Sequence, residues 1–597
     1  MSKKRKSPNV VGTAVKAAPG ESTAWSAVVS RSMFSGPAIR EGIEALVSAC
    51  ILAFFFRAFA IEAFVIPTGS MAPTLMGQHK DLLCPQCGYR YQAGASSESE
   101  DVAQQQGHRR PVQEIVAVTC PLCRYTASVD PHTEQGRERP TYGGDRILVS
   151  KCTYEFFEPR RWAVTVFKNP CEAQVNYIKR LVGLPHETVR IYHGDLSFQP
   201  EGHDEFHFQH RDPATIRAMA QIVYDNDYVV DAMSERGWPV RWQPLAAKSD
   251  TEAHGGWTSH DGNRSYEIDG AGAEAGWLAY RHFVPSIKDW ELLRKGPLPD
   301  GYRPRPRLIT DFCAYNTSVP RGEVVPGPQL VGLHWVGDLL LECTLEITKA
   351  EGTATIELIQ GGKHFRCDFD CATGQAQLSI DGLDEYQPTA QTSVRGKGSH
   401  RVALANFDRQ LVLWVDGAPI NFDRATTYEG LDNAQPRSDA SDPGDLAPAR
   451  VGSQRAGLRV SHLRLLRDIY YIAVNGGNWV ADYAPPRATL LRMSYDELVN
   501  FWSTPAQWSA PSADGMNPFQ QRQAAEFPLA ADQFFVLGDN SPLSQDARLW
   551  PGERYVSREL LIGNALFIFW PHSFDKFPGT NLPFPFFPNF ARMGFIR

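Results

Sequence analysis

From Leu339 to Val415 the chain alternates between apolar and polar positions with a period of two. Leu339-Leu340-Leu341-Glu342-Cys343-Thr344-Leu345-Glu346-Ile347, Ala354-Thr355-Ile356-Glu357-Leu358, Val402-Ala403-Leu404-Ala405 and Gln410-Leu411-Val412-Leu413-Trp414-Val415 each read as a strand. The last runs into Asp416-Gly417, a dipeptide suited to a two-residue hairpin turn. Strands at this spacing predict an antiparallel sandwich within 201–480. Apolar runs that break into polar or Gly-Leu-Pro turns recur at Phe64–Gly69, Tyr177–Pro185 and Phe534–Asn540. These predict a second antiparallel sheet, assembled from pieces far apart in the chain. The expected fold class is mainly β.

One stretch obeys neither pattern. Ile43 to Phe56 is apolar except for Glu44, Phe59 to Ile66 except for Glu62, and Arg57 stands between the runs. A helix needs about 20 apolar residues to cross a bilayer. A transmembrane anchor over 39–60 therefore draws on both runs, with long charged side chains reaching the headgroups. Phe54-Phe55-Phe56 offers no polar face for an ordinary core helix. A cleaved leader is the competing reading, but a long tail precedes the run and no clean small-x-small site comes after it. That tail, 1–38, opens with Lys3, Lys4, Arg5 and Lys6, is expected to be disordered and, by the positive-inside rule, is cytoplasmic. The chain beyond residue 60 would lie on the outer, periplasmic side of the cell's inner membrane.

Composition narrows the classes. A chain of 597 residues accommodates several domains, and 43% apolar with 21% charged residues is ordinary for folded protein. A formal net charge of −7 without a concentrated basic face gives no sign of nucleic acid as partner, and none is expected. Eleven cysteines, an odd count with irregular spacing, do not describe a complete disulfide framework.

Three segments carry chemistry. After Phe64-Val65-Ile66, the turn Pro67-Thr68-Gly69-Ser70-Met71-Ala72-Pro73 presents one hydroxyl, which needs a base to become a nucleophile. Lys179 lies in the strand-like run Asn176-Tyr177-Ile178-Lys179-Arg180-Leu181-Val182-Gly183. Turned inward, its amine would be desolvated and pushed toward neutrality, the requirement of a Ser-Lys dyad. Phe534 to Asn540 breaks into a polar loop where Ser544, Asp546 and Arg548 alternate and the last two can pair. Taken singly, each has a plain reading: turn serine, solvated lysine, exposed ion pair.

Taken together, the segments resemble the bacterial type I signal peptidase (leader peptidase) family, over the anchor, 61–80, about 143–196 and 531–575. The family's Ser-Met-x-Pro-Thr-Leu box is matched by Ser70 to Leu75, and its Gly-Asp box by Gly144-Asp145-Arg146-Ile147-Leu148-Val149. Lys179, Arg180, Gly183 and Pro185 match the third box, and Gly538-Asp539-Asn540 with Ser544, Asp546 and Arg548 the fourth. The resemblance implies a split antiparallel β catalytic domain with Ser70 as nucleophile and Lys179 as general base. It implies an oxyanion hole from the Ser70 N–H and the Thr68 hydroxyl, and a Ser544 that orients the amine. Asp546 and Arg548 would brace the loop, and Tyr177, Phe167 and Val536 would desolvate the lysine. His186-Glu187, Ser541-Pro542-Leu543 and Ala547 depart from the family pattern and imply altered loop geometry. A Ser-His scheme through His186 lacks an acid to orient the ring.

Cys84-Pro-Gln-Cys87 and Cys120-Pro-Leu-Cys123 have the spacing of a ribbon in which four thiolates hold a structural zinc, with disulfides as the competitor outside the cell. Four thiolates leave no open coordination position, so no cofactor is expected for catalysis. The expected order is then tail 1–38, anchor 39–60, catalytic parts 61–80, 140–200 and 531–597, ribbon insertion 81–130, sandwich insertion 201–480 and a connecting segment 481–530. Val415-Asp416-Gly417 with, later, Leu463 to Asp468 is similar to laminin-G or concanavalin-like jelly rolls, which by fold analogy implies a peptide or glycan ligand. Cys367 and Cys371 read as buried thiols. The resemblance implies a membrane-bound signal peptidase I acting on signal-peptide-bearing preproteins. The alternatives are an anchored binding protein with a dead protease fold, and a self-cleaving Ser-Lys enzyme, which the anchor and the missing DNA-binding segment disfavour.

Overall fold

A computed structural model describes residues 36–99, 112–245, 256–272, 274–323, 332–431, 435–474, 482, 495–509, 522–577, 580 and 582–597. The expected tail lies outside these up to residue 35. The chain divides into two units, Met1–Glu62 and Ala63–Arg597.

Among the described residues, the first unit holds one helix, Gly36–Phe59. Ile43, Leu46, Val47, Ile51, Phe54 and Phe55 are all exposed on it, and Arg40 pairs with Glu44 one turn on at 2.8 Å. The anchor expected at 39–60 thus has a helical counterpart. Among the described residues, however, no helix is long and apolar enough to cross a membrane.

The second unit is mainly β and antiparallel, as its alternation predicts. One sheet runs in the order Arg146–Ser150, Leu561–Trp570, Val164–Asn169, Glu172–Gly183, Gln533–Leu537, Val556–Ser557. A four-stranded sheet beside it has the order His207–Phe208, Asp195–Pro200, Glu187–Tyr192, Ala525–Leu529. Phe167, Val182, Val189, Phe527, Phe535, Val536 and Leu537 share one core between them, each contributing about 1.5–3 kcal/mol by burial. Ala525–Leu529, expected in the connecting segment, pairs with Glu187–Tyr192, so this sheet draws on the chain before residue 531, where the third expected part begins. Its alternate burial, with Ala525, Phe527 and Leu529 inside, explains the pairing, and Pro528 obscures the strand in the sequence.

The insertion after the lysine box forms a two-sheet sandwich. One sheet carries Gly457–Arg467, Leu339–Lys349, Gly398–Phe407 and Gln410–Val415 side by side. Facing it are Thr353–Gln360, Lys363–Asp370 and Gln375–Ile380, together with Gly276–Tyr280 and Ala449–Gln454. Leu341, Leu345, Ile356, Leu358, Phe369 and Leu404 interleave in its core, along with Cys367 and Cys371. Val415 pairs with Ala418 around Asp416 and Gly417, both at positive φ (50° and 85°), the conformation a two-residue hairpin of this twist requires.

Candidate active site

The strand Glu172–Gly183 is exposed or half-buried up to Ile178 and buried from Lys179 onward. The lysine therefore sits where the strand enters the core, opposite Thr165 on Val164–Asn169. Its Nζ lies 2.8 Å from Ser70 Oγ and donates to the Ile178 carbonyl at 2.9 Å. The Tyr177 ring lies 5.2 Å from the amine, and Phe167 and Val536 are fully buried in the same core. Burial pushes the amine down to about 8 from its usual 10.5, against the opposing pull of Asp546 and Asp539. That is low enough for a substantial neutral fraction near physiological pH.

Ser70 is held by a short 3-10 turn, Gly69–Met71, all three residues buried. Ala72 N–H donates to the Gly69 carbonyl at 3.1 Å and Leu75 N–H to Met71 at 2.9 Å. Asp145, from the Gly-Asp box, closes the far end by accepting from Met76 N–H and Arg592, each at 2.7 Å. Thr68 precedes the turn in extended backbone, φ −118° and ψ 158°.

The Gly-Asp-Asn loop joins these parts. Asp539 receives Arg180 Nε and Nη2 at 2.7 and 2.6 Å and Thr74 Oγ1 at 2.5 Å. The lysine strand, the nucleophile segment and the loop are thus tied through one buried carboxylate. Asp546 takes a bidentate pair from Arg548, 2.8 Å on each arm, and accepts from Gly538 N–H at 3.0 Å. Asn540 N–H donates to the Ser70 carbonyl at 3.1 Å, and its side-chain amide to the Gly69 carbonyl at 2.9 Å. Ser544, expected to orient the amine, is buried against Gly538. Among the described residues its Oγ has no hydrogen-bond partner.

Three of the positions that depart from the family pattern, His186, Glu187 and Ser541, have side-chain partners. Glu187 takes Arg161 on both oxygens at 2.8 Å and caps Leu184 N–H at 2.7 Å, bracing the Gly-Leu-Pro turn. His186 is exposed at φ +64°, and its ring meets Glu201 at 2.8 Å, an acid partner fifteen residues on that the sequence reading did not give it. Ser541 Oγ accepts from Ile472 N–H and Arg548 Nη1, both at 2.9 Å. Two residues the sequence did not single out also reach the site. Asn316 exchanges two 2.7 Å hydrogen bonds with Asn540, and Tyr315 packs against Gly69. Nothing in Cys313-Ala-Tyr-Asn-Thr317 marks it as other than a loop.

The four ribbon cysteines form one buried group with sulfurs within 4.8 Å of one another. Cys84 and Cys123 Sγ are 3.5 Å apart and Cys87 and Cys120 Sγ 3.7 Å, too far for a disulfide bond. Each knuckle closes alike: Gly88 N–H donates to Cys84 and Arg124 N–H to Cys120, with Gly88 and Arg124 both at positive φ. A tetrahedral zinc with bonds of about 2.3 Å spaces its sulfurs by about 3.8 Å, so this donor set fits zinc.

Comparison with known proteins bears on the catalytic part. The family described as signal peptidase, peptidase S26, matches residues 115–222 and 484–570. Lys179 and the Gly538–Arg548 loop fall inside these stretches and Ser70 outside them. Signal peptidase I of Pseudomonas fluorescens is 43% identical over 68 residues, 9% of this chain and 24% of that protein. Signal peptidase I of Leptolyngbya laminosa is 38% identical over 73 residues, 11% of this chain and 36% of that protein. The chain thus spans about a quarter to a third of the curated relatives it matches. Among solved structures, carbohydrate-binding module CBM66 from Bacillus subtilis is similar at 7% identity and a TM-score of 0.19, over 38% of this chain and 95% of that one. A likeness so slight carries no argument about the sandwich. The family match and the two relatives support the signal peptidase family for the catalytic part of the chain.

Proposed function

We propose that this protein is a serine endopeptidase of the signal peptidase I kind, which cuts N-terminal signal peptides from exported preproteins with a Ser70/Lys179 dyad. The observation that carries the reading is the 2.8 Å approach of a buried lysine amine to a buried serine hydroxyl across 109 residues of sequence. Ser70 Oγ attacks the scissile carbonyl and its proton passes to neutral Lys179. The oxyanion is met by the Ser70 N–H and, as the resemblance implies, the Thr68 hydroxyl. Lys179 then protonates the departing amine as the C–N bond breaks, and water releases the acyl group by the reverse proton route. The largely exposed outer half of the lysine strand, Glu172–Asn176, supports docking of an extended segment as an added strand.

We extend the proposal to two further features. The helix Gly36–Phe59 exposes apolar side chains along its length, which supports seating at a bilayer, the source of the substrate's apolar segment. Cys84, Cys87, Cys120 and Cys123 hold one structural zinc that folds the ribbon.

The test is processing of a preprotein in detergent by wild type, Ser70→Ala, Lys179→Ala and Lys179→Arg. Only wild type should cleave, since a guanidinium stays protonated. Processing that survives loss of either dyad member would overturn the mechanism, and an inert wild type would favour the binding-protein reading.

A further inference from the structure

The sandwich insertion does not simply hang from the catalytic sheets. Asn316, from the segment Cys313–Thr317, forms a closed amide pair with Asn540 of the catalytic loop, both side chains buried. Asn540 spends its remaining amide proton on the Gly69 carbonyl and its N–H on the Ser70 carbonyl. Asn316 therefore fixes the rotamer that lets Asn540 grip the nucleophile turn from both sides. Next to it, the buried Tyr315 ring covers Gly69 so closely that a Cβ there would stand 2.7 Å from Tyr315 Cζ. Its hydroxyl donates to the Gln78 carbonyl at 3.1 Å.

A second grip comes from the end of the sandwich. Ile472 N–H donates to Ser541 Oγ, and Arg548 Nη1 donates to the Ile472 carbonyl, each at 2.9 Å. Ser541 begins the three-residue departure from the family's loop sequence. At that departure the loop gains one of its hydrogen bonds to the inserted chain, the others running through Asn540 and Arg548.

We propose that the insertion completes the catalytic site: Asn316 is a positioning residue that, through Asn540, holds Ser70 against Lys179, with Tyr315 sealing the turn. Removing the Asn316 amide leaves a buried donor and acceptor on Asn540 unpaired. Asn540 then rotates to find partners, and the Gly69–Ser70 backbone loses its clamp. A small displacement of a nucleophile lowers turnover more than substrate affinity.

This rests on the proposed peptidase function, so the test has one arm with substrate and one without. Asn316→Ala should lower kcat at least tenfold with KM changed less than twofold. The double variant with Asn540→Ala should be no worse than Asn540→Ala alone, because both act through one contact. Leu378→Ala, buried in the sandwich core, controls for lost stability: it should lower the melting temperature and leave kcat within twofold. In the arm without substrate, hydrogen exchange of a peptide covering 67–78 should quicken in Asn316→Ala and not in Leu378→Ala. A wild type that cuts no preprotein would count against the peptidase reading, and the exchange arm would still decide the positioning role. An Asn316→Ala enzyme with kcat within twofold of wild type, unchanged exchange at 67–78, or equal losses in the control would overturn the proposal.

Discussion

If Lys179 is the base, its low affinity for a proton must appear both in activity and in stability. Burial lowers the amine from 10.5 to about 8, a displacement corresponding to about 3 kcal/mol against the charged form. Below about pH 8 both folded and unfolded chains hold the proton and the folded state bears the whole penalty. Between pH 8 and 10.5 only the unfolded chain holds it, so the penalty is relieved as pH rises through that window. Lys179→Met should therefore stabilise the protein at pH 7. Losing the hydrogen bonds to Ser70 and Ile178, about 1 kcal/mol each, offsets about 2 kcal/mol, leaving a net gain of about 1 kcal/mol that shrinks toward pH 10.5. Urea unfolding of both proteins at pH 7 and pH 10 measures it. The same amine sets the rate: the neutral fraction rises about tenfold from pH 7 to pH 9, and single-turnover cleavage should track it with an apparent pKa near 8. A flat profile over that range, or a Lys179→Met protein less stable than wild type at pH 7, would refute the account of a desolvated base.

The geometry carries three further outcomes. Metal analysis should find one zinc per chain, and Cys120→Ser or a strong chelator should lower the melting temperature of the ribbon while Ser70 chemistry persists in the intact remainder; four oxidised thiols without metal would exclude zinc. Asp539→Ala strands the fully buried Arg180 guanidinium and should cost about 3–5 kcal/mol, seen as a large drop in the urea midpoint together with lost cleavage. Gly69→Ala forces a methyl into the Tyr315 ring and should cost about 1–3 kcal/mol by overpacking; Tyr315→Ala in the same chain should recover part of that stability, and no recovery would place the strain elsewhere.

Local chemistry decided what was legible in the sequence. Period-two alternation marks strands because neighbouring side chains point to opposite faces, and Leu339–Lys349, Thr353–Gln360 and Gln410–Val415 formed where it ran. Asp416-Gly417 marked its turn because few residue pairs adopt positive φ in succession. Two Cys-x-x-Cys knuckles announced a four-sulfur cluster, since each knuckle aims two thiols at one point. Ser70, Lys179 and the Gly538–Arg548 loop could be picked out from their boxes.

Their assembly could not be read off the chain. Thr74 meets Asp539 across 465 residues and Asn316 meets Asn540 across 224. No local period records such pairings, because they arise from how sheets and insertion pack. Ala525–Leu529 joined the catalytic side although Pro528 hid it, for burying three apolar residues outweighed one missing backbone donor. Ser544 lay in the expected loop, yet its hydroxyl bonds neither Lys179 nor any other described residue, because the amine is turned to Ser70 and the Ile178 carbonyl. The sequence by itself determined which elements form and which side chains carry chemistry. Only the tertiary structure decided that a lysine would be buried beside a serine, and that an inserted asparagine would hold the loop between them, because desolvation and long-range pairing exist only once the chain has packed.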